Sequence, residues 1–145
     1  MPTELRFWDT SALLQVFDRD EADHRSAVGL WGARRGRFAR RTSMIVGIEA
    51  LQAARAHAPR YLPEILAAIE NDIDLVPFDS ERFEVALQIA RHHAARGADT
   101  AIVASAVYTQ RRTSVPLIFI TADEEQAKLA VDSGLKVKKL RPPSR

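Results

Sequence analysis

The sequence predicts a three-layer α/β/α fold around a central, mainly parallel sheet of four to five short strands. Two observations carry this. The runs LRFW, DLVPF and PLIFIT are short and apolar, as strands buried on both faces must be. Between them lie segments whose apolar residues recur at helical spacing, and strands that alternate with helices form parallel sheets with right-handed crossovers. A length of 145 residues fits one domain and is enough to bury a core without disulfides. Residues 1–140 are read as that domain and 141–145 as a loose basic tail.

LRFW, the first strand, stops at Asp9, and TSALLQVF continues as a helix with Leu13, Leu14, Val16 and Phe17 turned inward. EADHRSAVGLWGARRG reads as a second helix, ended by Gly32 and Gly36. TSMIVGIEALQAARAHA is a third, with Thr42 or Ser43 as its N-cap and Pro59 as its stop. YLPEILAAIEND follows as a fourth, and DLVPF as a strand closed by Pro77. DSERFEVALQIARHHAARG is amphipathic, opened by Asp79 or Ser80 and ended by Gly97. ADTAIVASAVYTQRR is apolar on nearly all sides. PLIFIT is the clearest strand. In DEEQAKLAVDSG, Asp123 and Gln126 have capping-box spacing, and LKVKKL closes the chain as a last strand.

Composition removes several chemistries. With no cysteine, disulfides, thiolate metal sites and a thiol nucleophile are excluded, and a reducing, cytoplasmic setting is expected. No apolar run approaches the roughly 20 residues that span a bilayer. MPTELRFWD has no hydrophobic signal core, so neither a membrane nor a secretory route is expected. The net charge is only +2, but RRGRFARR concentrates Arg34, Arg35, Arg37, Arg40 and Arg41. Such a patch reads as a contact for a polyanion or an acidic partner near the mouth of the site, or as a solvated helix end and loop. His24, His57, His92 and His93 all fall on polar helix faces and read as surface residues.

Four acids stand in unusual places. Asp9 and Asp123 each follow the carboxyl end of an apolar strand, where open α/β sheets place their ligands. Glu49 and Asp99 sit on helices with few other charges. Each has a plain structural alternative: Asp9, Asp99 and Asp123 suit helix N-caps, and Glu49 an exposed stripe edge. Together, though, four converging carboxylates would repel one another and drive protons on, unless a cation joined them. Hard Mg²⁺ or Mn²⁺ takes such oxygen ligands, and an all-oxygen acid site suits phosphodiester hydrolysis.

In this order the motifs resemble the PIN domain and, within it, the VapC toxins of bacterial toxin–antitoxin systems. FWDTSALL, TSMIVGIEAL, GADTAIVASA and FITADEEQAKLAVDSGLKV resemble the four motifs of that family, over almost the whole chain. The resemblance implies a metal-dependent endoribonuclease that cuts RNA, halts growth and is restrained by a cognate antitoxin, a small DNA-binding protein encoded upstream. It implies a homodimer and Mg²⁺ or Mn²⁺ as cofactor. By position it makes Asp9, Glu49, Asp99 and Asp123 the catalytic, metal-holding quartet, with Asp9 and Asp99 the first choices for direct ligands. Thr10, Ser11 and Thr121 become the hydroxyls that support them.

Other functions fit the sequence less well. A haloacid-dehalogenase-like phosphatase would need a second Asp two residues after Asp9, where this chain has Ser11. A receiver-like phosphoacceptor would need an acidic pair ahead of its central Asp and a late Lys. A non-catalytic module binding RNA or protein on the same fold is the alternative from another class.

Overall fold

The structure, a computed structural model, describes residues 2–32 and 37–142. In chain order its elements are β1 (Glu4–Trp8), α1 (Thr10–Phe17), α2 (His24–Trp31), β2 (Phe38–Ser43), α3 (Met44–His57), α4 (Leu62–Asn71), β3 (Asp74–Val76), α5 (Ser80–Ala90), α6 (Gly97–Arg111), β4 (Leu117–Thr121), α7 (Glu124–Asp132) and β5 (Lys136–Lys139). All five strands pair parallel, in the order β3-β2-β1-β4-β5, and helices flank the sheet. This is the α/β architecture expected from the alternating pattern.

β1 is central because its residues can be buried on both faces. Leu5, Phe7 and Trp8 are buried, and the Phe7 ring stacks on Phe119 of β4 at 6.0 Å between centroids. Burying each such side chain stabilises the fold by about 1.5–3 kcal/mol. On α6, every residue from Thr100 to Val107 is buried, which accounts for a helix that is apolar almost all round. Gly134, at φ +92°, makes the left-handed turn from α7 into β5.

Strand order fixes where chemistry can sit. The chain runs from β1 to β2 to β3 on one side, then returns to place β4 and β5 on the other. The topological switch therefore lies between β1 and β4, where Trp8 is level with Ile120. Asp9 follows β1 directly and Asp123 follows β4 by two residues, so both acids flank that crevice.

Several expectations need correcting. FARRTS is a strand, β2, and not a loop leading into a helix. The arginines hid it, because a parallel strand is expected to be apolar throughout. Arg6 and Arg40 instead lay their cationic ends over aromatic rings: Arg6 lies 3.9 Å from the Phe38 centroid and Arg40 lies 4.4 Å from that of Trp31. The second helix begins at His24 rather than Glu21, and α5 ends at Ala90, well before Gly97. Nor is Arg141 loose. Its Nε donates to Asp23 Oδ1 at 2.7 Å and its carbonyl accepts from Gln15. Residues 143–145 of the expected tail lie outside the described residues.

Candidate active site

Asp9 is held by its neighbours before any ligand is considered. It caps α1, accepting from the Ala12 amide at 3.0 Å, a role that its short side chain and extended backbone suit. The same oxygen accepts from the Ser11 hydroxyl at 2.8 Å, and the other from the Thr121 hydroxyl. Only 4% of Asp9 is exposed. Burial pushes its carboxyl up to about 6, against the lowering effect of the Thr121, Ala12 and Ser11 bonds, and the charge of Asp123 adds to the rise. A carboxylate held this way is ready to be neutralised by a cation or by a proton.

Around it, three other segments supply acids. Ser43 caps α3 through the Ile45 amide, and one and a half turns on Glu49 accepts from the Thr10 hydroxyl at 2.7 Å. Asp123 caps α7, accepting from the Gln126 amide at 2.9 Å. Asp99 lies in the first turn of α6 and does not cap it, since Arg96 stands at the cap position. So the capping alternative holds for Asp9 and Asp123 but not for Asp99. All four acids line one cavity of about 510 Å³, together with Thr10, Ser11, Arg96 and Gln126. Thr121 supports this wall through its bond to Asp9 and a bond from the Asp123 amide at 3.0 Å.

Arg96 and Gln126 were missed in the sequence. Arg96 Nε donates to Asp99 Oδ2 at 3.0 Å. Gln126 is 4% exposed and donates through Nε2 to the Asp99 carbonyl at 3.3 Å, while its Oε1 has no hydrogen-bond partner. One signal for Arg96 was available: it lies three residues before Asp99, a spacing at which helical side chains meet. For Gln126, capping-box spacing assigns its side chain to the Asp123 amide, but only the backbone half of the box forms and the side chain turns to Asp99.

The described part of the basic run is elsewhere. Arg34 and Arg35 lie outside the described residues. Arg37 stands at the entry of β2, its carbonyl accepting from Thr3. It is six residues before Ser43, roughly 20 Å from the acid end at about 3.3 Å per residue. Arg40 donates through Nε to the Trp31 carbonyl at 2.8 Å and through Nη2 to that of Gly32. Arg41 is a half-buried β2 residue level with Phe7. The expectation that this patch stands at the mouth of the site is therefore wrong for Arg37 and Arg40. Of the histidines, His57 and His92 are exposed, whereas His24 is half-buried and contacts the Gln15 carbonyl at 2.8 Å.

Residues 6–132 match the PIN domain family. The chain belongs to that family. Solved structures share the PIN fold at low identity. VapC20 of Mycobacterium tuberculosis, described as a sarcin–ricin-loop-cleaving toxin, aligns with a TM-score of 0.68 at 18% identity, over 94% of this chain and 99% of that one. VapBC2 from Rickettsia felis, solved with a DNA fragment from its promoter, gives 0.66 at 9%, over 93% and 98%. A toxin–antitoxin complex from Klebsiella pneumoniae gives 0.57 at 19%, over 78% and 83%. No curated protein matches the chain significantly in sequence.

Does this PIN domain fit a divalent metal? Its donor set does: four carboxylates line one cavity, and the buried Gln126 Oε1 beside them lacks a partner. Their present arrangement is looser. Among the described residues, no three His, Asp or Glu side chains stand close enough together to form a metal site. Glu49 is turned to Thr10 and Asp99 to Arg96. Among the described residues, no helix is long and apolar enough to cross a membrane.

Proposed function

We propose that this PIN domain is a VapC-type toxin: an endoribonuclease that hydrolyses RNA phosphodiester bonds with Mg²⁺ or Mn²⁺ and is inhibited by a cognate antitoxin. The observation that carries the reading is the convergence of Asp9, Glu49, Asp99 and Asp123, from four separate segments, on one cavity at the sheet's switch point. Asp9 and Asp99 would hold the metal directly, and Glu49 and Asp123 would complete the site directly or through water. A metal bound there would lower the pKa of water and offset charge on the leaving oxygen. Ser11 and Thr121 fix both oxygens of Asp9, and Thr10 fixes Glu49, so that the acids keep their places as a charged backbone enters. The family and the VapC fold of the neighbours support this reading, and the toxin–antitoxin complex among them supports an antitoxin partner; a homodimer is part of the same proposal. Of the arginines proposed for RNA or antitoxin contact, Arg34, Arg35, Arg37, Arg40 and Arg41, the described Arg37 and Arg40 stand away from the cavity, and Arg40 is already held by backbone carbonyls.

The test is cleavage of an RNA mixture by the purified chain. Cutting should require Mg²⁺ or Mn²⁺ and stop in EDTA, and Asp99→Asn should be inactive. Expressed alone, the chain should arrest growth, and the product of the neighbouring reading frame should relieve the arrest. EDTA-resistant cleavage, or an active Asp99→Asn enzyme, would overturn the roles given to the acids. A folded chain that binds RNA and never cuts it would favour the non-catalytic module.

A further inference from the structure

Among the described residues lining the acid cavity, Arg96 is the single cation facing four carboxylates. Its main chain is fixed at the head of α6, with its carbonyl accepting from the Thr100 amide and hydroxyl at 3.0 Å each. Its side chain is 81% exposed, so it reaches the cavity from the solvent side, while its partner Asp99 is only 26% exposed. The bond to Asp99, followed by the charges of Asp99, Asp123 and Glu49, pushes the guanidinium pKa further up. One Asp99 oxygen is therefore occupied by Arg96, and among the described residues no three acids close into a ligand shell.

We propose that Arg96 is the built-in counter-ion of the cavity: it pairs with Asp99 in the metal-free protein and must release Asp99 before a divalent cation can be held there. The proposal rests on the metal-dependent reading above and adds regulation to it. Arginine and metal compete for the same carboxylate, so Arg96 sets the metal concentration at which the site loads. Without metal it relieves repulsion among the acids. With metal, the same positive charge works against loading. An ordinary i,i+3 pair on a helix surface would do neither, because its effect would not depend on metal.

Binding of Mn²⁺ to the full chain, followed by the EPR signal of the free ion at low salt, reads this without reference to activity. Arg96→Gln should bind Mn²⁺ roughly two- to fivefold more tightly than wild type, a modest gain because the pair is exposed and screened. Arg96→Lys, which keeps the charge, should stay near wild type. At 0.5 M NaCl the difference should shrink. Melting gives a second readout of opposite sign: Arg96→Gln should melt lower than wild type in EDTA, yet gain more from saturating Mn²⁺. Equal or weaker Mn²⁺ binding by Arg96→Gln, in a chain whose wild type still cuts RNA only with metal, would overturn the role of Arg96 and leave the nuclease reading standing. Equal melting losses with and without Mn²⁺ would do the same. A wild type that neither binds Mn²⁺ nor shows metal-dependent cleavage would overturn both.

Discussion

Two charged regions of this molecule look comparable in the sequence and differ in the fold. One is the run of arginines from 34 to 41, dense and contiguous. The other is four acids spread over more than a hundred positions. The fold gathers the scattered set into one cavity at the carboxyl ends of β1 and β4. Of the contiguous set, the described Arg37 stands at the entry of β2, and Arg40 and Arg41 lie within it, where Arg40 is held by carbonyls and rings. Linear density therefore says little about a site. What matters is whether the residues lie at element ends that the topology brings together, and whether their polar atoms remain available once local bonds are made.

The sharpest way to break this contrast is Asp9→Asn. At the acid end the change should lower metal-dependent RNA cleavage by roughly a hundredfold or more, since an amide holds a hard cation far less well than a carboxylate. The protein should still fold. Asn caps a helix about as well as Asp, and the Thr121 hydroxyl can turn to accept from the new amide. Single-turnover cleavage with Mn²⁺ and circular dichroism of the same sample check both halves. Retained cleavage would reduce Asp9 to a cap.

A smaller effect separates the two regions by pH. Burial raises Asp9 to about 6 in the fold, whereas an unfolded Asp titrates near about 3.9. Between those values the native state binds the extra proton, so stability falls as pH rises from about 4 to about 6 and is flat beyond. The loss is at most about 3 kcal/mol for a shift of this size. The wild-type curve minus the Asp9→Asn curve, from urea unfolding in EDTA at each pH, should show that fall. A difference independent of pH would mean that the Asp9 carboxyl is not desolvated. Mn²⁺ should offset the loss at pH 7, because a bound cation stabilises the charged form.

How far the sequence disclosed all this depended on where the signal was local. The β1–Asp9 and β4–Asp123 junctions were legible because an apolar strand followed by a capping acid is readable within ten residues. Glu49 and Asp99 were legible because a charge stands out on an apolar helix. β2 was illegible because Arg40 is held by groups outside the strand, the Trp31 ring and the Trp31 and Asp72 carbonyls, that only the tertiary structure supplies. Arg96 and Gln126 were overlooked for a related reason. Both look like ordinary helix-end polar residues until the cavity shows what they face.

The smallest expected effect concerns Arg40, at the other end of the comparison. If its charge is spent inside the fold, Arg40→Ala should cost stability and leave the chemistry alone. It removes donors to the Trp31, Gly32 and Asp72 carbonyls and the cation over the Trp31 ring. Together these are worth about 1–2 kcal/mol for a half-buried group, allowing for water taking up some of the freed carbonyls. RNA affinity in EDTA, and its slope with salt, should match wild type, because neutralising a residue that touches no phosphate releases no counterion. Arg37→Ala, at the exposed entry of β2, should do the reverse if the patch contacts RNA: unchanged melting, weaker binding and a flatter slope. Should Arg40→Ala flatten the salt slope without lowering the melting temperature, then the guanidinium serves a ligand rather than the strand, and the division drawn between the two charged regions fails at that residue.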